Sequence, residues 1–218
     1  MMKINKFLIY MKIILATHNK NKCLEMMGIL SNMNIELLSL HEFPEIGEII
    51  EDGATLEDNA LIKARTVHKL TKLPALADDT GLEVDALGGD PGVFSARYSG
   101  ENASYSDNVN KLLKEMENVP NDKRMAKFRT VMAFVGYEME LIAEDYVKGI
   151  ITNVTKGIDG FGYDPVFYVP EMNKTYAEMS MKEKNQISHR GKALMKMQTL
   201  LQERLPKTFH QMEDLPKT

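Results

Sequence analysis

Cysteine occurs once in this chain, at Cys23. That excludes an intrachain disulfide framework and a cysteine-rich zinc site, and it suits a reducing cytoplasm. Positive charge is not in excess: 27 Lys and Arg against 31 Asp and Glu give a formal net charge of -4 and a pI near 5.8. This balance argues against a dedicated nucleic-acid binder working by phosphate neutralisation, so no direct nucleic-acid partner is expected. A small anionic substrate stays open wherever basic residues converge. No stretch approaches the roughly 18 apolar residues of a membrane span, and no membrane partner is expected. Internal repeats, low-complexity tracts and linker-like segments are missing as well, and 218 residues suffice for a full core in one domain or two closely packed lobes.

The first residues, with Lys3, Lys6 and the run Phe7-Leu8-Ile9-Tyr10, faintly imitate a secretory signal. Lys12 interrupts the run, and His18-Asn19-Lys20 stands where a small-residue cleavage site is wanted, which speaks against that reading. Met11 begins a segment with the pattern of a domain start. The expected organisation is therefore a domain over residues 11–205, an N-terminal extension over 1–10 and a C-terminal tail over 206–218.

Among the segments present, Leu76-Ala77-Asp78-Asp79-Thr80-Gly81 organises the rest. Two acids close the apolar run Leu73 to Ala77 and a glycine follows, which predicts a short buried strand ending in a turn. Adjacent residues of an extended chain point to opposite faces, so Asp78 and Asp79 are not expected to act as a side-by-side dyad. One carboxylate at a cleft mouth could hold Mg2+ or take a proton from water; equally, both could brace the turn.

Upstream, Lys12 to Thr17 predicts a strand, Thr17-His18-Asn19-Lys20-Asn21-Lys22 a polar loop, and the residues from Cys23 a helix. Free N–H groups at that helix start, with Lys20 or Lys22, suit an anion, although the Gly-rich P-loop pattern is absent and loop lysines are commonly just solvated. A second strand is predicted over 34–40. Thr55 with Asp58 resembles a capping box opening a helix to about Thr71, on which Asn59 and Lys63 share a face. That face suits phosphate oxygens or plain solvent. Glu51 and Asp52 precede it, either as a second carboxylate for a metal or as ordinary company for a helix start.

Downstream, Leu82 to Leu87 predicts a strand, Ser106 to Val119 a helix, and 128–135 with 141–150 a hairpin. The stretch Gly157 to Pro165 lets backbone approach a ligand, and Phe161 or Tyr163 offers a flat face to a heterocycle, unless these rings simply plug the core. Phe167 to Val169 is a strand. Ser180 with Glu183 caps a predicted final helix carrying Lys184, Ser188, His189 and Arg190.

Taken together, ATHNKNK at Ala16 to Lys22, EDGATLEDNALIKAR at Glu51 to Arg65, LADDTGLEVDALGGDPGVFSARYSG at Leu76 to Gly100, GFGYDPVF at Gly160 to Phe167 and EKNQISHRGKAL at Glu183 to Leu194 closely resemble the inosine triphosphate pyrophosphatase family. The resemblance spans Met11 to about Leu205. It implies a house-cleaning enzyme that hydrolyses ITP, dITP and XTP to the monophosphate and pyrophosphate, cytoplasmic and homodimeric. The alternating strand and helix patterns support an α/β class; the resemblance adds a long mixed central sheet flanked by helices, split into two lobes with the active-site cleft between them.

By the same resemblance, Thr17, His18, Asn19, Lys20, Asn21 and Lys22 form the triphosphate loop, with Lys63 added from the helix. Asp79 is general base and metal ligand, Glu51 its partner for Mg2+, and Thr80 touches substrate. Phe161 stacks on the purine, with Gly162 and Tyr163 beside it, while Asp164, Lys184, His189 and Arg190 hold its edges. His18 departs from the small residue common in the family. The implied reaction is in-line attack of water on the α-phosphorus. A related pyrophosphatase with pyrimidine or modified-nucleotide preference, and a regulatory nucleotide binder without hydrolysis, are the competing readings.

Overall fold

The computed structural model describes residues 11–31, 33 and 35–205. The expectations for residues 1–10 and 206–218 and for Asn34 lie outside these. Strand β1 (Met11–Leu15) leads into α1 (Lys20–Leu30), and β2 (Ile35–Ser39) returns parallel to β1. Helix α2 (Leu56–Thr71) precedes β3 (Ala75–Val84), which joins β1 in parallel. A two-residue β4 (Pro91–Gly92) and α3 (Tyr105–Glu115) follow, then the hairpin of β5 (Met125–Gly136) and β6 (Met139–Ile151). Short strands β7 (Phe167–Val169) and β8 (Lys174–Thr175) and helices α4 (Met181–Ile187) and α5 (His189–Arg204) complete the described chain. The eight-stranded mixed sheet runs β2-β1-β3-β5-β6-β7-β8, with β4 paired to β3. The α/β class and the long mixed sheet with helices packed on it are as the sequence predicts.

Alternation along β3 assigns its two faces. Leu76 packs with Cys23, Met26 and Leu30 of α1 and with Leu194, Met197 and Leu201 of α5. Ala75 and Ala77 pack on the opposite side with Leu56, Ala60, Ala64 and Val67 of α2. Leu70, near the end of α2, is exposed. A third core gathers Leu82, Val84, Phe128 and Phe167 under Val109, Leu112 and Met116 of α3. Arg124 closes this end, donating to the carbonyls of Met116, Val119, Ile151 and Thr152. Asp78, Asp79 and Thr80 thus lie on β3 between the first two cores and the third.

Three sequence expectations change. No turn follows the aspartates: β3 runs unbroken from Ala75 to Val84, paired with β5 over its whole length, because both carboxylates find partners off the sheet faces. Of the strand expected over 82–87, Leu82, Glu83 and Val84 are the end of this same β3, while Asp85–Leu87 form a 3-10 turn. The single final helix is two, α4 and α5, meeting at Ser188, whose extended backbone ends one helix while its side chain caps the other through Gly191 N–H. By contrast, the Thr55–Asp58 and Ser180–Glu183 capping boxes form as predicted.

Candidate active site

Asp78 and Asp79 enter different surroundings, as their alternation requires. Asp79, largely buried, takes a hydrogen bond at 3.2 Å from Asn59 Nδ2, and Lys63 Nζ lies 3.6 Å away. Asn59 is turned by the Gly53 N–H, which donates 2.8 Å to its Oδ1 and leaves Nδ2 for the carboxylate. Lys63 also binds Glu51 at 2.6 Å. Asn59 and Lys63 do share a face, and it is buried rather than solvated. Burial pushes the Asp79 carboxyl above its ordinary value although Lys63 and Lys22 oppose this, and Asp79 and Glu51 lift the Lys63 ammonium against its own burial.

The opposite side of β3 carries a second charge cluster. Asp78, fully buried, accepts from Arg190 Nε at 3.0 Å and from the Thr80 hydroxyl at 3.2 Å, with Lys22 Nζ at 3.2 Å. Arg190 also donates to Glu25 and, through Nη2, 3.1 Å to Thr80. Glu25 pairs with Lys184 at 2.8 Å, and Lys184 with Asp164 at 2.6 Å. Burial would raise both carboxyls. Glu25, held by two cations, ends below its ordinary value, while Asp164, held by one, ends above it.

One cavity of about 320 Å³ joins these clusters. Thr17, His18, Asn19, Lys22, Glu51, Lys63, Asp79 and Thr80 line it, and so do Phe161, Gly162, Tyr163, Asp164, Lys184, His189 and Arg190. Lys184 Nζ and the Arg190 guanidinium approach the Phe161 ring centre to 4.7 and 5.6 Å, so this wall offers a π face and N–H donors together. His189 stacks on Phe128 with centroids 4.6 Å apart; burial, with Arg190 and Lys184 nearby, holds its imidazole neutral.

Some candidates sit differently from expectation. Lys20 is exposed and, like Asn21, forms no part of the cavity wall. The N–H groups of Asn21 and Lys22 are not free: both donate to Asn19 Oδ1, which caps α1. His18 turns its Nε2 to the Gly47 carbonyl at 2.8 Å, away from the loop amides. The Tyr163 hydroxyl donates to the Ser95 carbonyl and its ring belongs to the third core, so here the core-plug reading applies. Residues missed in the sequence include Glu25, Tyr105 and Arg97. Glu25 carried one signal, an acid among the inward residues Cys23, Met26 and Leu30. Tyr105, whose hydroxyl accepts from Asn19 Nδ2 at 3.0 Å, carried none, and Arg97, which donates 3.3 Å to the Glu51 carbonyl, stood out only by its place between small and aromatic residues in Val93 to Gly100.

The chain is similar to known proteins over most of its length. Over 195 residues the chain is 48% identical to a dITP/XTP pyrophosphatase of Thermoanaerobacter sp. (strain X514), covering 89% of this chain and 98% of that one. The solved structure of a HAM1 protein from Coxiella burnetii matches with TM-score 0.81 and 42% identity over 88% of this chain and 99% of that one. The Staphylococcus aureus Ham1 protein matches with TM-score 0.79 and 37% identity, over 88% and 98%. The Ham1 family model itself covers residues 13–200, a span that holds every side chain placed around the cavity, and the chain belongs to that family.

Proposed function

We propose that this chain is a nucleoside triphosphate pyrophosphohydrolase that cleaves ITP, dITP and XTP to the monophosphate and pyrophosphate, keeping deaminated purines out of nucleic acids. The observation that carries the reading is the composition of this cavity: a buried carboxylate among lysines at one end, an aromatic wall with N–H donors at the other. The names of the relatives, dITP/XTP pyrophosphatase among them, support it.

In this reading Asp79 orients the attacking water and takes its proton. Asn59 fixes one carboxylate oxygen, and the Thr80 N–H donates to the other at 3.0 Å. Lys22 and Lys63 offset charge developing on the phosphate oxygens. Asn19 and Thr17 shape the loop around them.

Mg2+ fits the donor set. Glu51 and Asp79 are hard oxygen donors, and the Lys63 ammonium lies 2.6 Å from the first and 3.6 Å from the second, which supports a cation facing both. Mg2+ ordinarily takes one or two carboxylates and keeps its remaining waters. When bound it would supply Lewis-acid polarisation of the phosphate oxygens. Glu51 and Asp79 would hold it.

Base choice belongs to the other end. A 6-keto purine offers an acceptor to the unused hydrogens of Arg190 and Lys184, whereas the adenine amino group would leave these donors unpaired. The neutral His189 adds no competing charge. The reading also places the cavity in a cleft between two lobes of a homodimeric enzyme of the cytoplasm, where the buried Cys23 thiol stays reduced.

Product analysis of ITP turnover with Mg2+ tests the reaction. Inosine monophosphate and pyrophosphate are expected in equal amounts. Release of inosine diphosphate with orthophosphate, or no turnover, would contradict the reading.

A further inference from the structure

Beneath the cavity, donors from three elements end on one oxygen. Asp78 Oδ2 takes Lys22 Nζ from α1, Arg190 Nε from α5 and the hydroxyl of its β3 neighbour Thr80. The other oxygen, Oδ1, is equally buried and has no hydrogen-bond partner among the described residues. The remaining carboxylates each serve one end: Glu51 and Asp79 bind Lys63, and Glu25 and Asp164 bind the cations of the base wall. Among the described residues, Asp78 alone pairs with a cation of the phosphate loop and a cation of the base wall.

The missing partner at Oδ1 matters to how this carboxylate responds. A carboxylate bonded on both oxygens is fixed independently of any one donor. Asp78 is located through Oδ2 only, so its position follows the groups that meet there. Arg190 is nearly inaccessible and anchored also by Glu25 and Thr80, while the Lys22 side chain is 15% exposed and has Asp78 as its carboxylate partner. A displacement of Arg190 therefore reaches Lys22 through Asp78. An acceptor on the ligand that keeps Arg190 in place keeps Lys22 in place as well, and an amino group that pushes Arg190 away takes the lysine off its phosphate.

We propose that Asp78 is a positioning residue that passes the identity of the base to the phosphate end, so that the wrong purine is penalised in triphosphate alignment as well as in its own contacts. This rests on the functional reading above, with Arg190 at the base and Lys22 at the phosphates. It predicts that the two ends, occupied by separate ligands, bind cooperatively.

The experiment is calorimetric titration of the full chain with inorganic pyrophosphate in Mg2+, alone and with saturating inosine. Inosine should tighten pyrophosphate binding at least about fivefold, the low end of ordinary coupling between sites. Adenosine should not. In Asp78→Asn both ligands should still bind, with the coupling gone and the ITP-to-ATP ratio of kcat reduced. Coupling that survives in Asp78→Asn, or wild-type binding of each ligand indifferent to the other, would overturn the proposal while leaving the functional reading intact. Failure of both ligands to bind wild-type protein would sink that reading and the proposal together. Should Asp78→Asn not fold, Lys22→Gln and Arg190→Lys supply a double-mutant cycle on kcat/KM for ITP: non-additive losses are expected, and additive ones would refute the coupling.

Discussion

Asp78 and Asp79 share a strand and differ in everything around them. Asp78 is drawn well below the ordinary carboxylate range, because Lys22 and Arg190 outweigh its burial, whereas Asp79 is raised by burial that Lys63 and Lys22 only partly offset. The first is a permanent anion suited to holding cations, the second a carboxylate suited to accepting a proton. Asp79→Asn should therefore lower kcat by at least about 10²-fold, the usual minimum for losing a general base, while leaving ITP binding measurable by calorimetry. Full turnover in that variant would refute the assignment. His189 gives a different signal at this scale. The folded chain keeps it neutral, while an unfolded chain protonates it below the ordinary 6.5. Below that pH the unfolded state binds more protons, so stability should fall as pH drops through 6 towards 5. Melting temperatures of the wild type and His189→Gln across this range check it: the variant's slope should be shallower, and equal slopes would count against a buried neutral imidazole.

At the scale of elements, the junction of α4 and α5 sets the base wall. Lys184 leaves one helix and His189 and Arg190 the other, and Ser188 turns the chain between them. Gly191 makes the turn possible, since a Cβ there would lie 1.9 Å from the Asn185 carbonyl oxygen. Gly191→Ala should force the helices apart, destabilise the fold by about 1–3 kcal/mol, as overpacking usually does, and raise KM for ITP. Thermal melts and steady-state kinetics would reveal it, and unchanged values of both would contradict the close approach. This junction was not legible in the sequence, because the residue at the break, Ser188, is neither glycine nor proline, and Gly191 lies inside the first turn of the second helix. The continuity of β3 was hidden for a related reason: adjacent acids followed by Thr80 and Gly81 resemble a turn, and only partners distant in sequence, Arg190, Asn59 and Lys63, allow a strand to carry them. Features set by local chemistry were legible. The capping boxes at Thr55 and Ser180, the Asn59–Lys63 face and the β5–β6 hairpin, whose Tyr137 and Glu138 adopt positive φ, all follow from spacing or turn position.

Across the whole molecule, β3 crosses from the cores under α1, α2 and α5 to the core under α3, and the cavity lies along that crossing. The carboxylate end and the aromatic end come from segments far apart in the chain, Asp79 and Phe161 being 82 positions apart, so their convergence was visible in the sequence only through its resemblance to a family. The account stands on one consequence of that convergence, that chemistry at the phosphate end is conditional on a 6-keto purine at the other. Measuring kcat/KM for ITP, XTP and ATP under identical Mg2+ tests it most directly. ITP and XTP should exceed ATP by at least about 10²-fold, within what unpaired buried donors can enforce. Equal values for the three would contradict it.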